Sequence, residues 1–301
     1  MIDEAKVKAI APWFGGKRTM AADIVEELGA HGQYFEPFCG SMAVLFAKPS
    51  SQKETVNDLH GDLVNLARVL QNRDSAESLY ARLEKTLFCE DLLERARFEL
   101  DELTALPEAG VTSTMVDRAY WYFIASWMGR NGTAGTARVD YQIAVRWTKN
   151  GGSPTVRWRH AVESIPWWHE RLRNVVILNR DAFRILDRFE DVPETAIYCD
   201  PPYHSGARSG GKYLHEFRHA DPMFGDDHKR LAEILRGYRK ARIVVSYYDC
   251  AEIRELYEGW TFVEHHRQKH LHAQNGRGAR AKEAPEVLIL NGPSYAKGGA
   301  T

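Results

Sequence analysis

The sequence predicts an α/β fold with a mostly parallel sheet and one inserted domain. Two observations favour this class: short apolar segments alternate with segments of helical periodicity, and the alternation stops over one stretch near the middle of the chain. Strands that alternate with helices are joined by right-handed crossovers into parallel sheets. A chain of 301 residues is long enough for one large α/β domain with an insertion or for two modest domains.

The first half of the chain begins with a predicted helix over 17–28, where Ile24 and Leu28 recur at helical spacing. Residues 75–128 predict mostly helix, with a break at Leu106-Pro107. Between these two stretches the pattern predicts, in order, a strand, a helix, a strand and a helix over 33–38, 41–48, 54–58 and 62–70.

The second half returns to regular alternation after an irregular stretch, 129–165, whose Gly, Arg and Trp residues predict loops and small strands. A helix is predicted over 226–237, with an aspartate available as its N-cap. The other predicted elements are strands over 174–178, 195–200, 241–247, 261–268 and 286–290, and helices over 182–189 and 251–258. We therefore predict a sheet domain from residues 1–72 and 170–301, with 73–169 inserted.

The stretch 129–173 differs chemically from the rest of the chain. The net charge is only −1, so a nucleic-acid binder of this composition must concentrate its basic residues locally. The stretch holds eight Arg and Lys residues against three acidic ones, and six of the eight tryptophans lie over 121–168. We expect the tryptophans to be mostly core and the arginines mostly surface. A solvated basic loop is the alternative to a nucleic-acid surface.

Composition excludes several other classes. No apolar run approaches the roughly 18 residues of a membrane span, and the acidic N-terminus does not resemble a secretory signal, so we expect a cytoplasmic protein. The four cysteines lie far apart and predict free thiols. No sustained apolar stripe predicts a dimer, and the default is a monomer. Neither a carboxylate nor a cysteine completes a metal set with the histidines at 265, 266, 270 and 272.

The sharpest motif is Asp200-Pro201-Pro202-Tyr203, directly after a predicted strand. Two prolines hold the backbone extended and donate no hydrogen bonds, so the motif predicts a rigid shelf at the sheet edge. There, the Asp200 carboxylate and a backbone carbonyl can both accept from one amino group, and Tyr203 offers a flat face for stacking. An ordinary strand exit is the alternative.

A second motif, residues 36–41, places Gly40 between a strand and a helix. A small-residue turn there lets a ligand approach the backbone. The next strand ends in Asn57-Asp58, and an acidic residue about 20 positions beyond such a turn is placed to hold ribose hydroxyls. A surface turn is as good an interpretation of either motif alone.

Two weaker motifs complete the set. Paired glycines before Lys17 suit a carboxylate, although a flexible entry into the fold is the favoured interpretation of this motif taken alone. Asp181 follows a strand and could accept from a nucleotide's adenine amine or cap the next helix.

The basic segments supply candidate DNA contacts. Arg130 and Asn131 are suited to base contacts. Other cations suited to phosphate are Arg138, Arg146, Lys149, Arg157, Arg277, Arg280 and Lys282. For the last three, an ordinary charged hairpin loop is the alternative.

Taken in order, these motifs resemble the Dam-like family of phage and bacterial DNA adenine methylases. The resemblance is carried through nearly the whole chain by FGGK, YFEPFCGS, VNDLHGDLVN, MGRNGTAG, NRDAF, CDPPY, VVSYYD and AKEAPEVLIL. It implies a Rossmann-like, seven-stranded methyltransferase sheet with an inserted target-recognition domain. It also implies S-adenosylmethionine as cofactor, with S-adenosylhomocysteine as product and no metal, and double-stranded DNA as partner.

The resemblance also implies a role for individual residues. Asp200, Pro201, Pro202 and Tyr203 would hold a flipped adenine, and Arg130 and Asn131 match the entry to the recognition domain. The implied cofactor residues are Trp13, Gly16 and Lys17 at the methionine end, Glu36, Phe38, Gly40 and Ser41 along the turn, Asp58 at the ribose and Asp181 at the adenine.

One departure from the family pattern concerns the turn after Gly40. The family often continues with a small residue and a second glycine, whereas here Ser41 is followed by Met42. We expect direct in-line methyl transfer, without a covalent enzyme intermediate, onto an adenine that has left the stack. The alternatives are methylation of the cytosine amine, methylation of RNA adenine, and a DNA-binding protein with a vestigial pocket.

Overall fold

The computed structural model describes residues 4–13, 15–105, 112–129, 142–145, 152–203, 215–218, 225–265 and 285–296. These residues form one seven-stranded, mostly parallel sheet, which confirms the predicted fold class. The strands are β1 (Gln33–Glu36), β2 (Lys53–Asn57), β3 (Val175–Leu178), β4 (Thr195–Cys199), β5 (Arg242–Tyr248), β6 (Thr261–His265) and β7 (Glu286–Leu290).

Ten α-helices accompany the sheet within these described ranges. They are α1 (Ala21–Leu28), α2 (Ala43–Ala47), α3 (Gly61–Gln71), α4 (Arg73–Glu84), α5 (Glu90–Ala105), α6 (Thr112–Met128), α7 (Pro154–Glu163), α8 (Ile165–Leu172), α9 (Asp227–Gly237) and α10 (Ala251–Leu256).

The strand order is β3-β2-β1-β4-β5-β7-β6. The five strands from β3 to β5 pair in parallel, while β7 runs antiparallel to both of its neighbours. The chain forms β2 and then β3 on one side of β1, and then forms β4 on the opposite side of β1. In open α/β sheets, ligands bind at the carboxyl ends of the strands where the order reverses in this way.

Alternating side chains of the strands divide the core into two clusters, one on each face of the sheet. Tyr34 and Tyr198 belong to the larger cluster, whereas Phe35 and Ile197, one residue away, belong to the smaller. The larger cluster is continuous with buried residues of α3 to α8, and the smaller is covered by α9 and α10. The helical block therefore shares a core with the sheet, and the boundary at residue 73 stays a prediction.

Two of the predicted elements are wrong. Residues 154–163 form helix α7 rather than loop, because Trp158, Ala161 and Val162 recur at helical spacing and bury one face after Pro154 at the helix start. Residues 182–189 form two short 3₁₀ turns rather than one helix, since Ile185 has a non-helical φ of −124°.

Of the tryptophans over 121–168 that the structure describes, Trp127, Trp158 and Trp168 are buried, as expected for core residues. Trp168 is fully buried and donates from Nε1 to the Val7 carbonyl at 2.8 Å. Trp127 donates in the same way to the Ile10 carbonyl at 3.1 Å. The helical block therefore holds the N-terminal segment in place, and that segment leads directly into the glycine-lysine motif before α1. Asp226 caps α9 through the backbone N–H groups of residues 228 and 229, as predicted.

Candidate functional site

A cavity of about 360 Å³ lies at the carboxyl ends of β1, β2, β3 and β4. Asp200 and Pro202 line it, while Pro201 and Tyr203 are buried next to them in the chain. The structure thus brings together motifs that are up to about 190 residues apart in the sequence. All the predicted cofactor residues line this cavity, namely Trp13, Gly16, Lys17, Glu36, Phe38, Gly40, Ser41, Asp58 and Asp181.

The turn after β1 is braced by Asp58, the residue that follows β2. Gly40 has a φ of +44°, and a Cβ added there would lie 2.8 Å from Nε1 of Trp13, so only glycine fits. The Gly40 N–H donates to Oδ2 of Asp58 at 2.8 Å, and the His60 N–H donates to Oδ1 at 2.9 Å. Burial raises the pKa of Asp58, and these two backbone hydrogen bonds oppose that effect.

Asn57 joins the turns that follow three neighbouring strands. Its side-chain amide donates to the carbonyls of Pro37 and Arg180, both at 2.9 Å, and its oxygen accepts from the Arg180 N–H at 3.0 Å. The residue is 1% exposed. Because a buried amide with three good hydrogen bonds is rigid, the turns after β1 and β3 are fixed relative to β2.

Met42 occupies the position at which the family pattern often has its second glycine. Its φ of 63° and ψ of 29° are left-handed, the conformation that glycine adopts most easily. The Met42 side chain is fully buried in the larger core cluster and does not line the cavity. A methionine at this position therefore does not fill the cavity, but it strains the backbone, because a non-glycine residue adopts a left-handed conformation there.

The two interpretations of Asp181 are compatible in the structure. Oδ1 accepts from the Phe183 N–H at 2.8 Å and caps the first 3₁₀ turn, while the exposed residue also lines the cavity. The predicted role of Asp181 at an adenine amine stays a proposal.

Lys17 lies at the centre of a buried charge cluster at the end of β4. Its Nζ is 2.9 Å from Oδ1 of Asp200 and 3.6 Å from Oε1 of Glu286, and it donates to the Gly15 carbonyl at 2.8 Å. Burial alone would lower the pKa of Lys17, but the two carboxylates outweigh it and the pKa is raised. Burial likewise raises the pKa of Asp200, against the opposing effect of Lys17. The cluster therefore holds a charged lysine between two acids.

Tyr203 packs into this cluster. It is 3% exposed, its hydroxyl donates to Oε1 of Glu286 at 3.2 Å, and Nζ of Lys17 lies 4.7 Å from its ring centroid. Its ring also meets Tyr248 edge-on at 4.6 Å. A stacking role of Tyr203 against a target base stays a prediction.

Glu36 is a buried acid on the floor of the cavity. It is 2% exposed and accepts from the Tyr34 hydroxyl at 2.9 Å. Burial, the largest effect, raises the pKa of Glu36 to about 8, with the charge of Asp200 adding to it and the Tyr34 hydrogen bond opposing it. At neutral pH this carboxyl group is mostly protonated.

A short segment after β4, residues 215–218, forms one wall of the cavity. The Phe217 ring lies 5.6 Å from that of Phe38 and 5.5 Å from that of Phe183. Arg218 donates to Asp227 through its backbone N–H at 2.9 Å and through two guanidinium nitrogens at 3.0 and 2.9 Å. Asp227 in α9 therefore anchors the wall.

A family model described as D12 class N6 adenine-specific DNA methyltransferase matches residues 13–273, most of the chain. The chain belongs to this family. The methyltransferase is 26% identical over 294 residues to the retron Ec67 DNA adenine methylase of Escherichia coli, covering 95% of this chain and 92% of that protein. It is 23% identical over 304 residues to the type II methyltransferase M.CviBI of Paramecium bursaria Chlorella virus NC1A, covering 95% of this chain and all of the viral protein.

The family assignment confirms the resemblance to DNA adenine methylases, and with it the expectation of an enzyme. It also decides the choice between adenine and cytosine amines in favour of adenine. Over the described ranges, no group of three or more His, Cys, Asp or Glu residues is placed to hold a metal ion. None of the helices in those ranges is long and apolar enough to cross a membrane.

Arg157 is the one predicted DNA contact that lies within the described residues. It is half-buried on α7, and its Nε is buried with no hydrogen-bond partner. Burial and then the charge of Arg18 lower the pKa of Arg157. The remaining predicted contacts lie outside the described residues, namely Arg130, Asn131, Arg138, Arg146, Lys149, Arg277, Arg280 and Lys282.

Several residues of the methyltransferase site were not predicted from the sequence: Asn57 as a connector, Ser246, Glu286 and the wall residue Phe217. Ser246 carried a usable signal, since a serine hydroxyl within a buried strand must find a hydrogen-bond partner. That partner is Asp200, whose Oδ1 accepts from the Ser246 hydroxyl at 2.8 Å.

Proposed function

We propose that this methyltransferase transfers a methyl group from S-adenosylmethionine to the exocyclic amine of a flipped adenine in duplex DNA. The observation that carries the proposal is the position of Asp200. Its carboxylate stands at the end of β4, 19% exposed and held at Oδ1, and it lines the cavity that also contains the predicted cofactor residues.

The cavity is suited to the proposed cofactor. A volume of about 360 Å³ lies within the range of small-molecule pockets. Gly40 and Ser41 of the turn line this cavity, so a ligand bound there can approach the backbone of the turn. Each oxygen of Asp58 accepts one backbone hydrogen bond, and a carboxylate oxygen has a second lone pair that can accept from a ribose hydroxyl.

Lys17 would hold the carboxylate of the methionine moiety. An ammonium has three donors, and two of them already meet Gly15 and Asp200. The third is then available to a ligand in the cavity that Lys17 lines. The same charge keeps Asp200 ionised beside the reaction centre, since the attraction of a close cation opposes protonation.

S-adenosylmethionine supplies an electrophilic methyl group bound to a sulfonium sulfur. The adenine amine is a poor nucleophile because its lone pair is delocalised into the ring. Two acceptors, the Asp200 carboxylate and a backbone carbonyl of residues 200–203, would hold both amine hydrogens and localise that lone pair on nitrogen. As the new N–C bond forms and the C–S bond breaks, positive charge develops on the amine, and the fixed negative charge of Asp200 stabilises it. The amine then gives up one proton, for which Asp200 is the nearest base.

DNA contacts are proposed for the inserted part of the chain. We place the sheet domain at 1–72 and 170–301 and the recognition domain at 73–169. Its basic residues, including Arg157 on α7, would neutralise phosphates and read bases. Such binding should weaken steeply with salt.

The first test is sequencing that detects modified bases in plasmid DNA from cells that lack adenine methylation and express this chain. Methyladenine in one recurring sequence is the expected result. Expression of Asp200→Ala gives the matched control, which should bind S-adenosylhomocysteine but leave the DNA unmodified. The proposed reaction would be contradicted if wild-type protein left adenine unmodified while a known adenine methylase gave detectable methyladenine in the same assay.

A further inference from the structure

The carboxylate of Asp200 is held on one side only. Oδ1 accepts from the Ser246 hydroxyl at 2.8 Å and lies 2.9 Å from Nζ of Lys17. Among the described residues, no group donates to Oδ2. Because both donors contact Oδ1, they restrict the rotation of the carboxylate and leave Oδ2 as the acceptor available to a ligand in the cavity that Asp200 lines.

Ser246 is itself held by a second hydroxyl. The Tyr198 hydroxyl lies 3.0 Å from Oγ of Ser246, and since Ser246 gives its own hydrogen to Asp200, Tyr198 is the donor in this pair. Ser246 is fully buried and Tyr198 is 1% exposed. Tyr198, Ser246 and Asp200 thus form a chain of hydrogen bonds in a site of low dielectric constant, where each bond strengthens the next.

We propose that Ser246 is a positioning residue for methyl transfer, whose hydroxyl turns Asp200 so that Oδ2 faces the target amine. This inference rests on the proposed function, in which Asp200 accepts from that amine. Ser246 does not line the cavity and touches neither substrate nor cofactor in this scheme. It acts through Asp200 and through the orientation of one carboxylate.

The charge environment of Asp200 predicts a signature that a purely structural role would not give. Burial raises the pKa of Asp200, while the charge of Lys17 and then the Ser246 hydrogen bond lower it. Removing the hydroxyl therefore raises that pKa further, and activity that needs the ionised form is lost at a higher pH. The other titratable groups close enough to Asp200 to interact with its charge are Glu36 from β1, Tyr198 and Cys199 from β4, Tyr247 from β5 and Glu286 from β7.

The experiment measures the single-turnover rate of methyl transfer from labelled S-adenosylmethionine to plasmid DNA free of methyladenine, from pH 5 to 9. Ser246→Ala should lower this rate by about 10- to 100-fold, the range expected for one hydrogen bond to a charged group. Its Kd for S-adenosylhomocysteine, from calorimetry, should stay within about twofold of wild type, since the cofactor contacts are untouched. The acid limb of the pH profile should move to higher pH.

Two further variants make the comparison specific. Ser246→Thr keeps a hydroxyl and should recover most of the rate. Ser164→Ala removes another buried hydroxyl, 1% exposed, that donates to the His160 carbonyl outside the cavity lining. It should keep both the wild-type rate and the wild-type acid limb.

An unchanged rate for Ser246→Ala, an acid limb that does not move, or a Kd weakened as much as the rate would each overturn the positioning role. Should Ser246→Ala not fold, Tyr198→Phe decides. Loss of the Tyr198 hydroxyl should slow methyl transfer and move the acid limb of the pH profile to higher pH, in both cases by less than Ser246→Ala is expected to do. An acid limb that does not move would refute the proposal. Failure of wild-type protein to methylate adenine would instead contradict the proposed function.

Discussion

Nζ of Lys17 lies 2.9 Å from Oδ1 of Asp200, with the lysine side chain 4% exposed and the aspartate 19%. Glu286, 6% exposed, is the second acid beside the same ammonium, at 3.6 Å. One buried cation therefore compensates two carboxylates that stand at the ends of different strands. The glycine–lysine motif and the Asp200-Pro201-Pro202-Tyr203 motif are coupled through this single side chain.

Lys17→Met should be strongly destabilising, because it leaves two buried carboxylates without their cation. We expect the free energy of unfolding at pH 7 to fall by about 3–5 kcal/mol, as for other broken buried pairs. The double variant Lys17→Met/Glu286→Gln should recover part of that loss. Urea denaturation followed by circular dichroism measures all three proteins.

The matched control for Lys17→Met is Lys6→Met. Lys6 forms a surface pair with Glu163 at 2.6 Å, with side chains 56% and 39% exposed. Its loss should cost under about 1 kcal/mol, because solvent screens the pair. If Lys17→Met costs no more than Lys6→Met, the charge cluster does not stabilise the fold.

Glu36 predicts a pH dependence of stability. Burial raises its pKa from 4.5 to about 8 in the folded protein, so the folded chain binds this proton more tightly than the unfolded chain. The contribution to stability is fully present below pH 4.5 and is lost as pH rises toward 8. Glu36→Gln removes the titration but can still accept from the Tyr34 hydroxyl. The variant should therefore gain stability relative to wild type between pH 5 and 8.5.

Thermal unfolding of both proteins across that range measures the difference. Because every other group titrates in both, the difference isolates Glu36. A difference that does not change with pH would show that the carboxyl group is already ionised in the folded protein.

Strand ends were the most informative part of the sequence. Asp58 and Asp200 each follow a strand, and the carboxyl ends of parallel strands meet at one sheet edge, so their convergence on one cavity was predictable. The resemblance added the roles that spacing alone left open. The seven-stranded sheet was implied by the family resemblance rather than by local periodicity, whereas the order of its strands was not predicted.

Partners from distant elements could not be predicted in the same way. Glu286 meets Lys17 only because β7 inserts antiparallel beside β5, and Phe217 reaches Phe38 only because Asp227 anchors Arg218. Helix α7 was missed for a different reason. Its buried Trp158 alternates with exposed or half-buried arginines, and this composition is typical of a loop although its spacing is helical.

Met42 tests how the left-handed turn is stabilised. Glycine there would relieve about 1–2 kcal/mol of backbone strain, whereas loss of a buried methionine side chain costs about 2–5 kcal/mol. Met42→Gly should therefore be less stable than wild type. Met42→Ala loses the side chain and keeps the strain, so it should be less stable than Met42→Gly by about 1 kcal/mol. Urea denaturation ranks the three proteins, and an alanine variant more stable than the glycine variant would contradict the role of backbone strain.

The wall formed by residues 215–218 predicts an effect on cofactor binding that is separate from catalysis. Asp227 accepts three hydrogen bonds from Arg218, and Phe217 is carried on the same segment. Asp227→Asn removes the charge that strengthens those bonds and should loosen the wall. We expect the Kd for S-adenosylhomocysteine to rise about tenfold, in line with the loss of one charge-assisted hydrogen bond. Calorimetry measures it directly.

Asp249→Asn is the matched control for the wall. Asp249 also holds an arginine through two hydrogen bonds, to Arg254 at 2.7 and 2.6 Å, but it does not line the cavity. The same chemical change there should leave the Kd at the wild-type value. Because both substitutions weaken an aspartate–arginine pair, a similar Kd for the two variants would mean that the position of Phe217 does not matter for the cofactor. A tenfold difference would assign the wall to the binding site.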